Sequence, residues 1–145
     1  DIEHEIVPMA KDNHLAIFPW SPLAGGFLSG KYSREETSSG SRRDTYDFPP
    51  INKEKAYDLV DVLREIANSH QATVAQVALA WVRQQSGITS TIIGAKRIEQ
   101  LKDNIASLKV VLSAEELQKI NEVSPLPKQY PAWMVERQSV YRNQE

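Results

Sequence analysis

Apolar residues recur at helical spacing over residues 53–69, where Ala56, Leu59, Val60, Leu63, Ile66 and Ala67 share one face. This pattern predicts an amphipathic helix with that face inward. A second helix is predicted from Thr73, with Gln76 three residues on forming a capping box and Val74, Val77, Ala78, Trp81 and Val82 as the buried face. A third runs from about Arg97 to Leu108 with Ile98, Leu101, Ile105 and Leu108 inward. Ser113 and Glu116 form another capping box, which opens a helix with Leu117, Ile120 and Val123 inward. Near the start, residues 2–13 read as the end of a helix, with Pro8 tolerated only in its first turn. Asn13-His14 is expected to turn the chain, because Asn accepts the left-handed conformation that ends helices.

Two stretches follow a different rule. Residues 15–20 (LAIFPW) form a short continuous apolar run, as expected of a strand buried on both faces of a parallel sheet. Their length, Pro19 and Pro22 argue against a buried helix. Residues 88–94 (ITSTIIG) are β-branched and bounded by glycines, so they read as a second strand. Residues 33–51 mix Ser, Gly, Pro and charge and are expected to form a long surface loop. Residues 124–145 read as an irregular tail.

Strands alternating with helices predict a parallel α/β architecture. Two strands do not make an independently stable sheet in water, and these helices have too little sheet to cover. The chain is therefore expected to be a piece of a larger α/β fold, broken or completed by another chain. It begins at Asp1 with helical pattern almost at once, which fits a segment cut from something longer.

Composition narrows the chemistry. The chain has 145 residues with 17 Lys+Arg against 19 Asp+Glu, a formal charge of −2. That balance argues against a nucleic-acid surface. The absence of cysteine excludes disulfides, thiolate metal sites and a cysteine nucleophile, and fits a reducing compartment such as the cytoplasm. No apolar run approaches the roughly 20 residues of a membrane span, and no signal-peptide pattern is visible. Glu3-His4-Glu5 lacks the further ligands that a metal site needs, and no G-x-S-x-G elbow supports a serine triad.

Two segments are candidates for anion binding. Ser21, Pro22, Leu23, Ala24, Gly25 and Gly26 follow the first strand, and the paired glycines permit positive φ and close approach of backbone N–H groups to a pyrophosphate. On spacing alone, a tight strand-to-loop turn explains them more readily. Gly94, Lys96 and Arg97 stand between the second strand and a helix start, where a helix N-terminus favours an anion. The two cations suit a ribose 2′-phosphate, and Gln100 and Asn104 share one helix face beyond them. The plainer alternative is a solvated basic helix start. Lys31 either reaches phosphate or pairs with an acid. The run Arg42, Arg43, Asp44 and Asp47 reads as a solvated loop more readily than as a flap over a ligand. Trp20 either stacks near a ligand or belongs to the core, and Trp133 either lines a substrate pocket or does the same.

Three motifs in order then resemble one family. Trp20-Ser21-Pro22-Leu23-Ala24-Gly25-Gly26-Phe27-Leu28-Ser29-Gly30-Lys31-Tyr32 closely resembles a segment of the aldo/keto reductases. Val77-Ala78-Leu79-Ala80-Trp81-Val82 is similar to a helix of the same family, and Ile92 to Asn104 (IIGAKRIEQLKDN) to a third segment. The resemblance implies the C-terminal part of a (β/α)8 barrel, its last two strands with their helices and tail, incomplete on its own. It implies contact of residues 21–26 with the cofactor, of Gln100 and Asn104 with adenine, and NADP as the cofactor. The catalytic Asp, Tyr, Lys and His of the family have no match here, so the resemblance implies no catalytic residue in this chain. The implied parent enzyme transfers hydride between the nicotinamide and a small carbonyl substrate. The alternatives are a non-catalytic NADP-binding or regulatory module, and a half-barrel that associates with itself or another chain.

Overall fold

The computed structural model describes residues 2–34 and 42–142. Seven α-helices follow in order among the described residues: α1 (Ile6–Asp12), α2 (Arg42–Thr45), α3 (Lys53–Ser69), α4 (Val74–Gln84), α5 (Ile98–Ala106), α6 (Ala114–Val123) and α7 (Ala132–Arg142). Two 3-10 segments, Ala24–Ser29 and Ser107–Lys109, separate them.

α3, α4 and α6 build the core, and their sequences explain why. Asn52 caps α3 by accepting from the Lys55 amide, and Thr73 caps α4 by accepting from the Gln76 amide. Val60, Leu63, Ile66 and Ala67 are buried as their spacing predicts, with Ala56 and Leu59 half-buried behind them. Leu63, Ile66 and Ala67 meet Val74, Val77, Ala78 and Ala80 of α4, Ile120 of α6, and Val110 and Leu112. Ser113 and Glu116 form the reciprocal box that opens α6. A second cluster sets Phe27 and Tyr32, stacked at 4.9 Å, against Val60 of α3. α3 thus joins the helical core to the chain that follows the first apolar run.

Several expectations are corrected. Neither apolar run forms a strand among the described residues; a single parallel bridge joins Ile17 to Ile88. The Thr89 amide donates to Ile17 O at 3.0 Å and the Ile92 amide to Pro19 O at 2.9 Å, so the register is parallel, as expected. However, Leu15 (56% exposed) and Phe18 (53%) face outward, where a strand buried on both faces was expected, and Ile92 (53%) of the second run faces outward too. Two strands alone make only a marginal sheet, and Pro19 offers no donor to a ladder.

α5 also departs from expectation. It ends at Ala106, and Ile98, Leu101, Ile105 and Leu108 are all exposed. The buried side chains here are polar, Asn104 and Ser107, and the Ser107 hydroxyl donates to Asn104 O. α5 therefore packs on α4 by its polar face. The Thr73 box is only half formed, because the Gln76 side chain turns to Asp103. Trp81 and Val82 are half-buried, and the Trp81 indole N–H donates to Asn121. Helix α1 is shorter than expected, and the left-handed residue after it is His14 (φ 54°); Asn13 (φ −94°) instead donates its side-chain amide to Met9 O. The supposed tail contains α7, and the supposed loop at 33–51 contains α2; residues 35–41 lie outside the described residues. No helix among the described residues is long and apolar enough to cross a membrane.

Candidate functional site

The parallel bridge sends both apolar runs out at the same end of the molecule. The turn after the first and the helix start after the second therefore face each other across a groove of about 920 Å³. All of the residues expected from the two anion-binding segments line this groove except Ala24, and Lys31 joins them. Ala24 packs instead toward Phe27 and Tyr32.

The first wall is an unusually wound turn. Ser21 (φ 53°), Ala24 (φ 49°), Gly25 (φ 66°) and Gly26 (φ 94°) all take the left-handed conformation. Ser21 and Ala24 adopt it against their side-chain preference, and local hydrogen bonds hold them there. The Ala24 amide donates to Ser21 O, the Gly25 amide to Ser21 Oγ at 3.1 Å, and the Gly26 amide to Leu23 O. These three amides are spent within the turn, which corrects the expectation that the glycines offer N–H groups outward. What the glycines leave open is space. Lys31 reaches into it, its ammonium lying 3.6 Å from where a Cβ on Gly26 would stand.

The second wall is the start of α5. Gln100 Oε1 accepts from the amides of Lys96 (3.0 Å) and Arg97 (3.3 Å), which fixes the backbone that carries both cations. Asp103, which the sequence reading passed over, locks this wall to α4. It accepts from Thr73 Oγ1 at 3.1 Å and from Gln76 Nε2 at 2.6 Å. Its position three residues after Gln100 was the signal for it, since that spacing puts both on one helix face. Ser29, Ala75, Ile92, Ile93 and Ala95 line the groove as well and were not foreseen as site residues.

Charge in the groove is uneven. Among the described residues no carboxylate pairs with Lys31, Lys96 or Arg97, whereas Arg34, Arg43, Lys53, Lys119 and Lys128 all have acidic partners. Asp103 is the acidic residue of the lining, and its oxygens are engaged by Thr73 and Gln76. Three uncompensated cations around a concave surface favour an anion carrying more than one charge.

The remaining candidates separate clearly. Trp20 lines the groove, 62% exposed, and stacks on Phe48 at 5.9 Å. Trp133 lies on α7 beside Tyr130 and does not line it. None of His4, His14 and His70 lines it either, and His70 bonds Glu116 at 2.8 Å. Arg43 overturns its expected place in a solvated loop, being only 7% exposed. Its partner Asp47 is held below the usual carboxylate range, first by its bond to Lys53 and then by Arg43.

Comparison with known proteins gives this arrangement a context. The family model described as "Aldo/keto reductase family" matches residues 1–125. The chain belongs to the aldo/keto reductase family. The fold of that family is the (β/α)8 barrel. Among its relatives, "Probable aldo-keto reductase 1" of Glycine max is 39% identical over 127 residues, covering 87% of this chain and 37% of the relative. "Uncharacterized oxidoreductase YrpG" of Bacillus subtilis is 38% identical over 127 residues, 86% of this chain and 37% of that protein. "NADH-specific methylglyoxal reductase" of Escherichia coli is 32% identical over 112 residues, 77% of this chain and 34% of that protein. The chain thus spans little more than a third of the length of these aldo/keto reductase relatives.

Proposed function

We propose that this chain is the C-terminal, cofactor-binding part of an NADP-dependent aldo/keto reductase. The observation that carries this reading is the convergence of Lys31, Lys96 and Arg97, unpaired among the described residues, on one groove walled by a left-handed glycine turn. The two apolar runs are assigned to the seventh and eighth strands of the barrel, after which such barrels place their phosphate site. Lys96 and Arg97 would hold a ribose 2′-phosphate, helped by the N-terminus of α5. Gln100 and Asn104 would meet the adenine, and the space above Gly25 and Gly26, with Lys31 over it, would take the pyrophosphate. Trp20 would border the nicotinamide end.

The bound cofactor supplies hydride for interconversion of a carbonyl and an alcohol. This chain contributes binding and orientation, and no residue in it is assigned to proton transfer. The partners proposed are the cofactor and a small carbonyl substrate, in the cytoplasm. A second reading, an NADH site, draws on the relative named as NADH-specific. Fluorescence titration of the protein with NADPH and NADH separates the two. NADPH is expected to bind at least about tenfold more tightly, the contribution of one charge-assisted contact to the 2′-phosphate. Equal affinities would favour the NADH reading, and failure to bind either would refute the assignment of the groove.

A further inference from the structure

Residues 42–49 do not line the groove, yet they are fastened to its glycine wall from behind. The fastening is one guanidinium. Arg43 Nη1 donates to Ala24 O at 2.7 Å, and Nη2 donates to Pro49 O at 2.8 Å and to the Asp47 carboxylate. The guanidinium carbon lies 5.8 Å from the centre of the Phe27 ring. A charge buried to this degree is tolerable only with such partners, so its geometry is tightly defined. The same segment closes on the turn at a second point. Phe48 O sits 2.6 Å from where a Cβ on Gly25 would stand, so only glycine admits it. The Phe48 ring then stacks on Trp20 with planes 17° apart, and Tyr46 tilts against Phe48. Arg43 therefore fixes the strained peptide between Ala24 and Gly25 directly, and the Trp20 ring through Phe48.

We infer that Arg43 is a positioning residue that governs how long the cofactor is retained, holding the glycine turn and Trp20 in their binding geometry without touching the ligand. This rests on the nicotinamide-cofactor reading above. Both walls rest on the helical core, against which Leu23 and Leu28 of the turn pack, but each has its own polar anchor. The glycine turn and Trp20 depend on Arg43, while Lys96, Arg97 and Gln100 depend on the junction of α4 and α5 through Asp103. A ligand spanning both walls feels Arg43; a ligand confined to the α5 wall does not.

The test compares wild-type protein with Arg43→Ala and Arg43→Lys, using two probes. NADPH spans both walls, and adenosine 2′-monophosphate, which carries no 5′-phosphate, reaches only the α5 wall. For Arg43→Ala, the NADPH dissociation rate measured by stopped-flow fluorescence should rise about tenfold, the effect of one lost charge-assisted bond. The affinity for the 2′-monophosphate should stay within about twofold of wild type. Arg43→Lys, which keeps the charge and one donor direction, should fall between wild type and Arg43→Ala. Equal weakening of both probes would show a purely structural residue, and an unchanged NADPH dissociation rate would also overturn the inference. If Arg43→Ala does not fold, Phe48→Leu decides: it removes the stack on Trp20 and leaves the Arg43 bonds, so faster NADPH release supports the inference and an unchanged rate refutes it. Wild-type protein that binds neither probe would refute the cofactor reading and this inference together. Wild-type binding with no split between the probes would refute only the inference.

Discussion

Gly25 and Gly26 are adjacent and both have positive φ, yet alanine should be more costly at Gly25. Conformation alone ranks them the other way. Gly25 (φ 66°, ψ 20°) lies close to the left-handed helical region that other residues can reach, whereas Gly26 (φ 94°, ψ 2°) lies outside it. Backbone strain is then about 1 kcal/mol at Gly25 and about 1–2 kcal/mol at Gly26. Surroundings reverse the order. At Gly26 the new methyl meets only the flexible end of Lys31, at an ordinary 3.6 Å. At Gly25 it meets a backbone carbonyl, Phe48 O, at 2.6 Å and Arg43 Nη1 at 3.1 Å. Neither can yield without shifting residues 42–49 and loosening the buried guanidinium, which adds about 1–3 kcal/mol of overpacking. Gly25→Ala should therefore destabilise by about 2–4 kcal/mol and Gly26→Ala by about 1–2 kcal/mol. For a chain of this size each kcal/mol is about 2–4 °C in Tm. Thermal denaturation followed by far-UV circular dichroism would measure both. Equal losses, or a larger loss at Gly26, would refute the seating of the Phe48 carbonyl on Gly25.

The double substitution Lys96→Ala with Arg97→Ala should weaken NADPH by about 10–30-fold and NADH by much less, the 1.5–3 kcal/mol of a charge-assisted contact being reduced by exposure to solvent; parallel fluorescence titrations check this, and equal weakening would mean that the pair acts on the pyrophosphate or on folding. Leu63→Ala, in a fully buried position, should cost about 3–4 kcal/mol, while Ile105→Ala, 52% exposed, should cost under about 1 kcal/mol; urea denaturation of the two variants would reverse this order only if α5 packs inward after all. The polypeptide of residues 1–145 should show no NADPH oxidation with a panel of aldehydes above a boiled control, since no residue in it matches the family's proton donor. It should also self-associate, because Leu15, Phe18, Ile98, Ile105 and Leu108 are all more than half exposed; light scattering during size-exclusion chromatography giving a compact monomer of 16.4 kDa would contradict this.

The elements whose information is local were readable from the sequence. Asn52, Thr73 and Ser113 start helices through bonds to amides three residues away, and the apolar stripe of α3 needs only the helical repeat to point inward. The two segments that form the groove were readable for the same reason, as each is a short run of small or charged residues following an apolar stretch. Periodicity names a face but not what covers it. It gave α5 an inward stripe of Ile98, Leu101, Ile105 and Leu108, but the buried residues are Asn104 and Ser107, and Asp103 ties α5 to α4 through bonds to Thr73 and Gln76 distant in the chain. The burial of Arg43 was invisible as well. Among Ser, Asp and Gly it has the composition of a solvated loop, and only the arrival of Ala24 O, Pro49 O and the Phe27 ring around its guanidinium makes burial favourable. The sequence by itself determined where the capped helices α3, α4 and α6 begin and which residues could meet an anion, but not the short α2 or the C-terminal α7. Tertiary structure alone decided that the anion-binding segments share one groove and which faces stay open, because burial is a property of the surfaces that meet, and those lie far apart along the chain.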